Sequence, residues 1–469
     1  MLAGYGYVRI GGDGLPRPIT HFPPFYSAVL AAVSKLSGQD PLQAAKIVNL
    51  CCAVLNQALF MTALFVLTGS KLTSVIGGIT FLCAGPVLQG HIYGLSEALY
   101  LTLFLLILIL SVKAAREQKR GFWPVAGLLS GALVLTRYAG FAAVGAAVVF
   151  ILCVLPSWKE RLRCLARYLA PTGLILGLWL LAEKRNGGSA VNRTVSLHLP
   201  SADKIEEGIR NFAGFFLPEF GGLVDKFLKF WGVAVCAALA ALLAGVIFFG
   251  VRSLCRPSKH LAASALFPPA LHGAAYMVLL VITVCFIDGS TLFDNRILLP
   301  FYLCAMLMID AFLSRFLNRG KLMAPAILAM LAFAALLFED EWDLIREFHR
   351  NGQGFAGDEW RESETRLAAR ELPSGKLLFS NRQTALSLLN DQPSYILPPM
   401  FDSASFSERE SFEKDRGWMD DEVLGGNAYV IVFNYKEMME NKDDREWLDT
   451  VLEGLPVFAE YSDGVIFGK

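Results

Sequence analysis

His91–Arg120 reads HIYGLSEALYLTLFLLILILSVKAAREQKR. No charged side chain interrupts it between Ala98 and Val112. With its flanks the run approaches the roughly 20 residues that an α-helix needs to cross a bilayer. A helix at the edge of a water-soluble core keeps one polar stripe, whereas this one is apolar on every side and polar only at its ends. His91, Tyr93 and Glu97 gather at one end and KAAREQKR at the other. The stretch therefore reads as a membrane span whose two ends differ in chemistry.

The same reading extends to the rest of the chain. Of 469 residues, 54% are hydrophobic and 18% charged, and the mean hydropathy is +0.47. That is too apolar for a soluble chain with an ordinary core. Apolar runs near 45–68, 71–89, 94–112, 122–136, 138–155, 165–184, 227–250, 268–287, 297–315 and 322–338 make about ten candidate spans. The expected fold class is thus a polytopic α-helical membrane protein. The net charge is zero and no basic tract is interleaved with aromatics, so no nucleic-acid partner is expected. All nine cysteines lie in or beside apolar segments, so neither a disulfide framework nor metal-ligand spacing is visible.

Short loops rich in Lys and Arg stay cytoplasmic. Lys113–Arg120, Lys159–Arg167, Arg252–Lys259 and Arg315–Lys321 are separated by even numbers of spans, so all four are expected on one side. The opposite, extracytoplasmic side then receives the loop near Leu88–Tyr93, the turn at Arg137, the loops 185–226 and 288–296, and everything after about residue 339. Phe25–Leu36 follows Pro23-Pro24 and is short for a span; it reads as a juxtamembrane or re-entrant helix on the outer side. An extracytoplasmic N-terminus with no insertion helix before it is awkward, and no signal peptide is visible. A first transmembrane helix upstream of Met1 is the expectation that removes the difficulty. The expected organisation is residues 1–44 as the remnant of a first outer loop, 45–338 as the multi-span domain, and 339–469 as a water-soluble extracytoplasmic α/β domain. In the last, Lys376–Ser380, Ser394–Leu397, Ala428–Phe433 and Gly464–Gly468 read as strands, and Arg382–Leu389 and Glu446–Leu452 as helices. No Gly-rich phosphate loop or nucleophile motif occurs in it.

Ionisable groups at membrane depth are costly and tend to pair or to line polar cavities. The candidates at the outer helix ends are His21, His91, Tyr93, Glu97, Arg137, Tyr138, Asp294 and Arg296. Glu97 fits a first-turn carboxylate favoured by the helix dipole with Ser96 as part of the cap, and equally a base or an orienter of a sugar hydroxyl. Arg137 separates two short apolar helices and can grip phosphate oxygens with two parallel hydrogen bonds; the alternative is an arginine snorkelling to headgroups. Arg296 is similar, although Asp294 could pair with it. Asn192-Arg193-Thr194 forms a glycosylation sequon, a triplet common by chance. Asp13 sits in a Gly-rich turn, Gly11-Gly12-Asp13-Gly14.

Four segments, His21–Ala28 (HFPPFYSA), Gly94–Leu101 (GLSEALYL), Gly127–Gly140 (GLLSGALVLTRYAG) and Asn295–Tyr302 (NRILLPFY), occur in an order that resembles the GT-C superfamily of membrane glycosyltransferases. The branch is that of protein O-mannosyltransferases and lipid A aminoarabinose transferases, the family 39-like enzymes. Leu377–Pro399 is similar to the post-membrane domain of bacterial members. The resemblance implies transfer of a sugar from a polyprenyl-phosphate carrier to an extracytoplasmic acceptor, which is a lipid, glycan or protein, at the inner membrane of the cell envelope. For such a transfer the outer-face set offers Glu97 and His91 as candidate catalytic residues, Arg137 and Arg296 to stabilise the departing phosphate, and His21, Tyr138 and Tyr93 as further substrate contacts. The family's main catalytic acid would lie upstream of Met1, and a chain without it would be inactive. No cofactor is implied, and metal use stays open. Two other readings compete: a lipid-linked-sugar transporter or flippase, which needs polar midplane groups and often repeats, and a noncatalytic membrane scaffold.

Overall fold

A computed structural model describes residues 7–19, 22–185, 197–216, 227–255, 261, 263–317, 320–402 and 407–469. His21 and the triplet Asn192-Arg193-Thr194 lie outside them. The chain divides into two compact units, Thr20–Leu344 and Met1–Ile19 together with Ile345–Lys469. The sequence division had kept 1–44 as one segment; the contacts instead group its first part with the C-terminal residues.

The larger unit is helical: α1 (Phe25–Ser37), α2 (Pro41–Thr68), α3 (Lys71–Cys83), α4 (Gly85–Ile92), α5 (Glu97–Arg116), α6 (Phe122–Thr136), α7 (Gly140–Val154), α8 (Trp158–Arg185), α9 (Ala202–Phe216), α10 (Leu228–Cys255), α11 (Phe267–Ile282), α12 (Asn295–Leu317) and α13 (Gly320–Asn351). Among the described residues, seven helices are long and apolar enough to cross a membrane, or eight if the bent pair α3–α4 counts as one. The helices differ from the expected set of spans at several places. The run 71–89 is broken by a 63° bend between α3 and α4, at an extended Ala84 just before Gly85-Pro86. Proline removes a backbone donor and clashes with the preceding turn, so a continuous apolar run still bends there. Helices α6 and α7 have 15 residues each, roughly 22 Å at 1.5 Å per residue, which is short of the hydrocarbon thickness. Lys159–Arg167 forms the first turns of α8 instead of a loop. Helix α13 continues past its apolar half through EDEWDLIREFHRN, because no breaker occurs before Gly352, whose φ is +70°.

Helix α5 is the spine of this unit, with Tyr100, Leu101, Leu105, Ile107 and Leu108 all buried. The glycines of α6 let α8 approach it closely. A Cβ on Gly127 would stand 2.1 Å from the Tyr168 carbonyl oxygen, and one on Gly131 would meet Ile175. Small residues allow such contact between membrane helices, and polar pairs seal it. Ser130 Oγ lies 2.7 Å from Tyr168 Oη, and Thr172 Oγ1 donates to the Gly127 carbonyl at 2.9 Å.

The smaller unit contains a hairpin of β1 (Val8–Ile10) and β2 (Pro16–Pro18). Its turn is held by Asp13, which accepts from the Leu15 amide at 3.1 Å and from Arg17 at 2.7 Å. The five-stranded sheet has the order β4-β3-β5-β7-β6, from β3 (Leu377–Ser380), β4 (Tyr395–Ile396), β5 (Ala428–Phe433), β6 (Val457–Tyr461) and β7 (Gly464–Phe467). Strands β3, β4 and β5 are parallel and β7 is antiparallel to both its neighbours. The unbroken apolar run AYVIVF is buried throughout, as suits a strand covered on both faces. Helices α14 (Asp358–Arg361), α15 (Glu364–Arg370), α16 (Gln383–Leu389), α17 (Phe412–Leu424), α18 (Tyr435–Glu440) and α19 (Lys442–Val451) complete the unit. The expected strands and helices are present; β6 and the helices α14, α15, α17 and α18 are additions.

Candidate functional site

Three ionisable residues from distant parts of the chain meet at one end of the helical unit. Glu97 opens α5, Arg137 follows the last residue of α6, and Arg296 is the second residue of α12. Helices α5 and α6 are consecutive and joined by a short connection, so the start of one and the end of the other share an end of the bundle. Arg137 takes an extended conformation, φ −151° and ψ 136°, while its amide still donates to the Leu133 carbonyl and closes α6. That single break turns its side chain out of the helix and leaves Gly140 to start α7.

The Glu97 side chain is 4% exposed, and one oxygen, Oε1, receives both guanidinium groups. Arg137 reaches it through Nη1, and Arg296 through Nε at 2.8 Å. Ser96 makes no side-chain cap to α5, while Glu97 itself stands in the helix's first turn. Arg137 is 17% exposed and Arg296 45% exposed. One carboxylate between two guanidiniums leaves one positive charge in excess. Tyr100 and Tyr276 lie within electrostatic reach of Arg137, and the Tyr276 hydroxyl donates to the Ile297 carbonyl at 2.5 Å. Asp294 does not pair with Arg296. Its carboxylate instead accepts from the Ile297 amide at 2.7 Å and caps α12.

His91 belongs to a neighbouring network. A carbonyl can only accept, so Nδ1 donates to the Val87 carbonyl at 2.6 Å, and Nε2 is left as acceptor for the Asn56 amide at 2.9 Å. Asn56 also donates to the Ala98 carbonyl at 2.9 Å. One turn pair away on the same face of α2, Asn49 donates to the carbonyls of His91 and Leu95 at 3.1 and 3.3 Å. Tyr26 of α1 donates to Asn49 Oδ1 at 3.0 Å and to the Gly94 carbonyl at 2.8 Å. These bonds tie α1, α2 and α4 to the turn that presents Glu97. Tyr93 ends α4, its amide bonded to the Gln89 carbonyl. Tyr138 follows Arg137 in the chain and is 40% exposed.

The structure thus gathers Glu97, Arg137 and Arg296 and places His91 beside them in a separate network. Asn49, Asn56, Tyr26, Tyr100 and Tyr276 were not singled out from the sequence. The seven-residue spacing of Asn49 and Asn56 in an apolar run is a signal that could have found them, because polar residues facing one way in a membrane helix usually bond across helices. Among the described residues, no group of three or more His, Cys, Asp or Glu is arranged to hold a metal ion. No protein-family model matches the chain, and no curated protein matches its sequence.

Proposed function

We propose that the chain is a membrane glycosyltransferase that moves a sugar from a polyprenyl-phosphate donor to an extracytoplasmic acceptor. The observation that supports this reading is the convergence of two arginines, one of them half open, on one buried carboxylate. Sugar transfer from a lipid phosphate leaves charge on the departing phosphate, and guanidinium groups held in place stabilise such charge without reorganising. Arg296, which uses Nε on Glu97 and stays half open, contacts the phosphate. Arg137 backs it from a more buried position.

In this mechanism Glu97 is a positioning residue. One of its oxygens receives both guanidiniums, so its role is to fix the arginines. His91, with Nδ1 on Val87 and Nε2 on Asn56, braces the turn before α5. Deprotonation of the acceptor hydroxyl falls to a group outside this cluster.

The test is turnover of a polyprenyl-phosphate sugar by full-length protein in lipid nanodiscs, comparing Arg296→Ala, Arg296→Lys and the parent. Loss of transfer in the alanine variant with partial recovery in the lysine variant is expected. Equal turnover in all three removes the arginine pair from the reaction.

A further inference from the structure

The carboxyl end of β5 opens into a cavity of about 260 Å3 within the smaller unit, walled by Trp360, Phe433 and Tyr435 and rimmed by Glu359, Asn434 and Glu437. In parallel sheets, ligands sit outside the carboxyl ends of strands. Asn434 leaves the strand in the left-handed region, φ +55°, a conformation that costs energy in a residue with a side chain. Trp360 is held by ring contacts with Phe433 at 5.2 Å and Phe355 at 5.6 Å, so one aromatic wall is fixed before any ligand arrives.

Three side-chain donors around this cavity are already engaged. Ser363 donates to Asp463, Ser462 Oγ donates to Glu364 at 2.8 Å, and Asn434 Nδ2 donates to Glu437 Oε2 at 3.2 Å. Lys436 is the one cation in the lining, and its ammonium lies 3.7 Å from Glu460. Acceptors remain in surplus: the Glu359 carboxylate, the second oxygen of Glu437 and the side-chain oxygen of Asn434. The lining carries three carboxylates, Glu359, Glu437 and Asp463, against one ammonium. Such a site repels phosphates and carboxylates. Aromatic faces add attraction for a cation, strongest at tryptophan.

We propose that this cavity binds a small organic cation, an amine-bearing ligand no larger than a monosaccharide. The size follows from the volume, which falls below the roughly 300–1,000 Å3 of sites for larger small molecules. The amine follows from three carboxylates against one ammonium beside aromatic walls. The proposal stands apart from the Glu97 cluster and does not depend on the transferase reading.

The experiment is isothermal titration of purified full-length protein with glucosamine and, separately, with glucose. Saturable glucosamine binding is expected, with glucose weaker by about tenfold or more, since the loss of one charge-assisted bond is worth about 1.4 kcal/mol or more. Glu359→Gln combined with Glu437→Gln should weaken glucosamine by a similar factor. Both residues are exposed, and an unchanged melting temperature verifies the fold; the two single variants, each weakened in part, serve if the double variant melts early. Absence of saturable glucosamine binding, equal affinity for glucose, or indifference to the glutamine variants overturns the proposal.

Discussion

Removing the Glu97 carboxylate should destabilise the protein far more than removing Arg296, while turnover should rank them the other way. With Glu97→Gln, Arg137 loses its ion-pair partner at a position where its side chain is 17% exposed. Breaking a buried ion pair from one side costs about 3–5 kcal/mol, because the remaining charge is left without compensation. Arg296 is 45% exposed, and pairs open to solvent are worth about 1 kcal/mol or less. Arg296→Ala should therefore cost under about 1 kcal/mol, and Arg137→Ala should fall between, since Glu97 keeps one partner. Equilibrium unfolding of the full chain in nanodiscs measures the order, and a double-mutant cycle of Glu97→Gln with Arg137→Gln should return a coupling of about 0.5–3 kcal/mol. In turnover, Arg296→Ala should lose about 100- to 1,000-fold, as when a donor to a developing oxyanion is deleted. If Glu97→Gln unfolds no more easily than the parent, or if Arg296→Ala destabilises as strongly as Glu97→Gln, the charge geometry argued above is wrong.

Asn56→Ala leaves His91 Nε2 without its donor and the Ala98 carbonyl with Thr102 Oγ1 as its remaining side-chain donor, so a loss of about 1–3 kcal/mol is expected, with the pH profile of turnover unchanged; a shifted profile would give His91 a proton-transfer role. Gly127→Ala should prevent α6 from meeting α8, because the new Cβ would face a backbone oxygen at 2.1 Å, while Gly131→Ala, which meets only the Ile175 side chain, should be milder; detergent-solubilised yield by size-exclusion chromatography distinguishes them. In the smaller unit, burial works against ionisation of Asp463, but hydrogen bonds from Ser363 and Thr365 outweigh it and hold its carboxyl below the ordinary value of 3.8. A depressed folded value means that the stabilisation is present above pH 3.8 and is lost as pH falls through the folded value. Protection of the Glu364–Arg370 amides relative to their intrinsic exchange at each pH, measured by mass spectrometry, should therefore fall on acidification in the parent and vary less in Asp463→Asn.

The apolar spans were legible because lipid sets a uniform demand along each helix, and α5 shows it most plainly. The bend at Ala84 was not, since hydropathy averages across 71–89 and is blind to a proline inside an apolar run. In the smaller unit the buried strand β5 announced itself as AYVIVF. The edge strand β6 did not, because Val457–Tyr461 alternates irregularly between exposed and intermediate positions. For the site, residue types and chain positions were readable, since charges at membrane helix ends are rare enough to count. Which charge answers which was not. Asp294 is two residues from Arg296 and was one open choice of partner, yet its carboxylate accepts from the Ile297 amide at the start of α12, which a nearby acid satisfies at little cost. Glu97, 199 residues away in sequence, takes the guanidinium because helix packing brings it there.

The helix dipoles sharpen the case for Arg296. Glu97 stands in the first turn of α5, where the positive end of the helix favours a carboxylate, and Arg137 stands just past the end of α6, where the negative end favours a cation. Both are therefore explained by local electrostatics. Arg296 is in the first turn of α12, at a positive helix end that disfavours a cation by about 0.3–1 kcal/mol. Its pairing with Glu97 offsets that cost without exceeding it by much, given how open the side chain is. An arginine that contributes little to stability where it stands is the member of the trio whose presence asks for a ligand. Arg296→Gln should accordingly leave the unfolding free energy unchanged within about 0.5 kcal/mol, the usual range for substitutions at exposed positions, while abolishing retention of polyprenyl phosphate on the purified protein. Retention at parental levels would mean that the open guanidinium faces no phosphate.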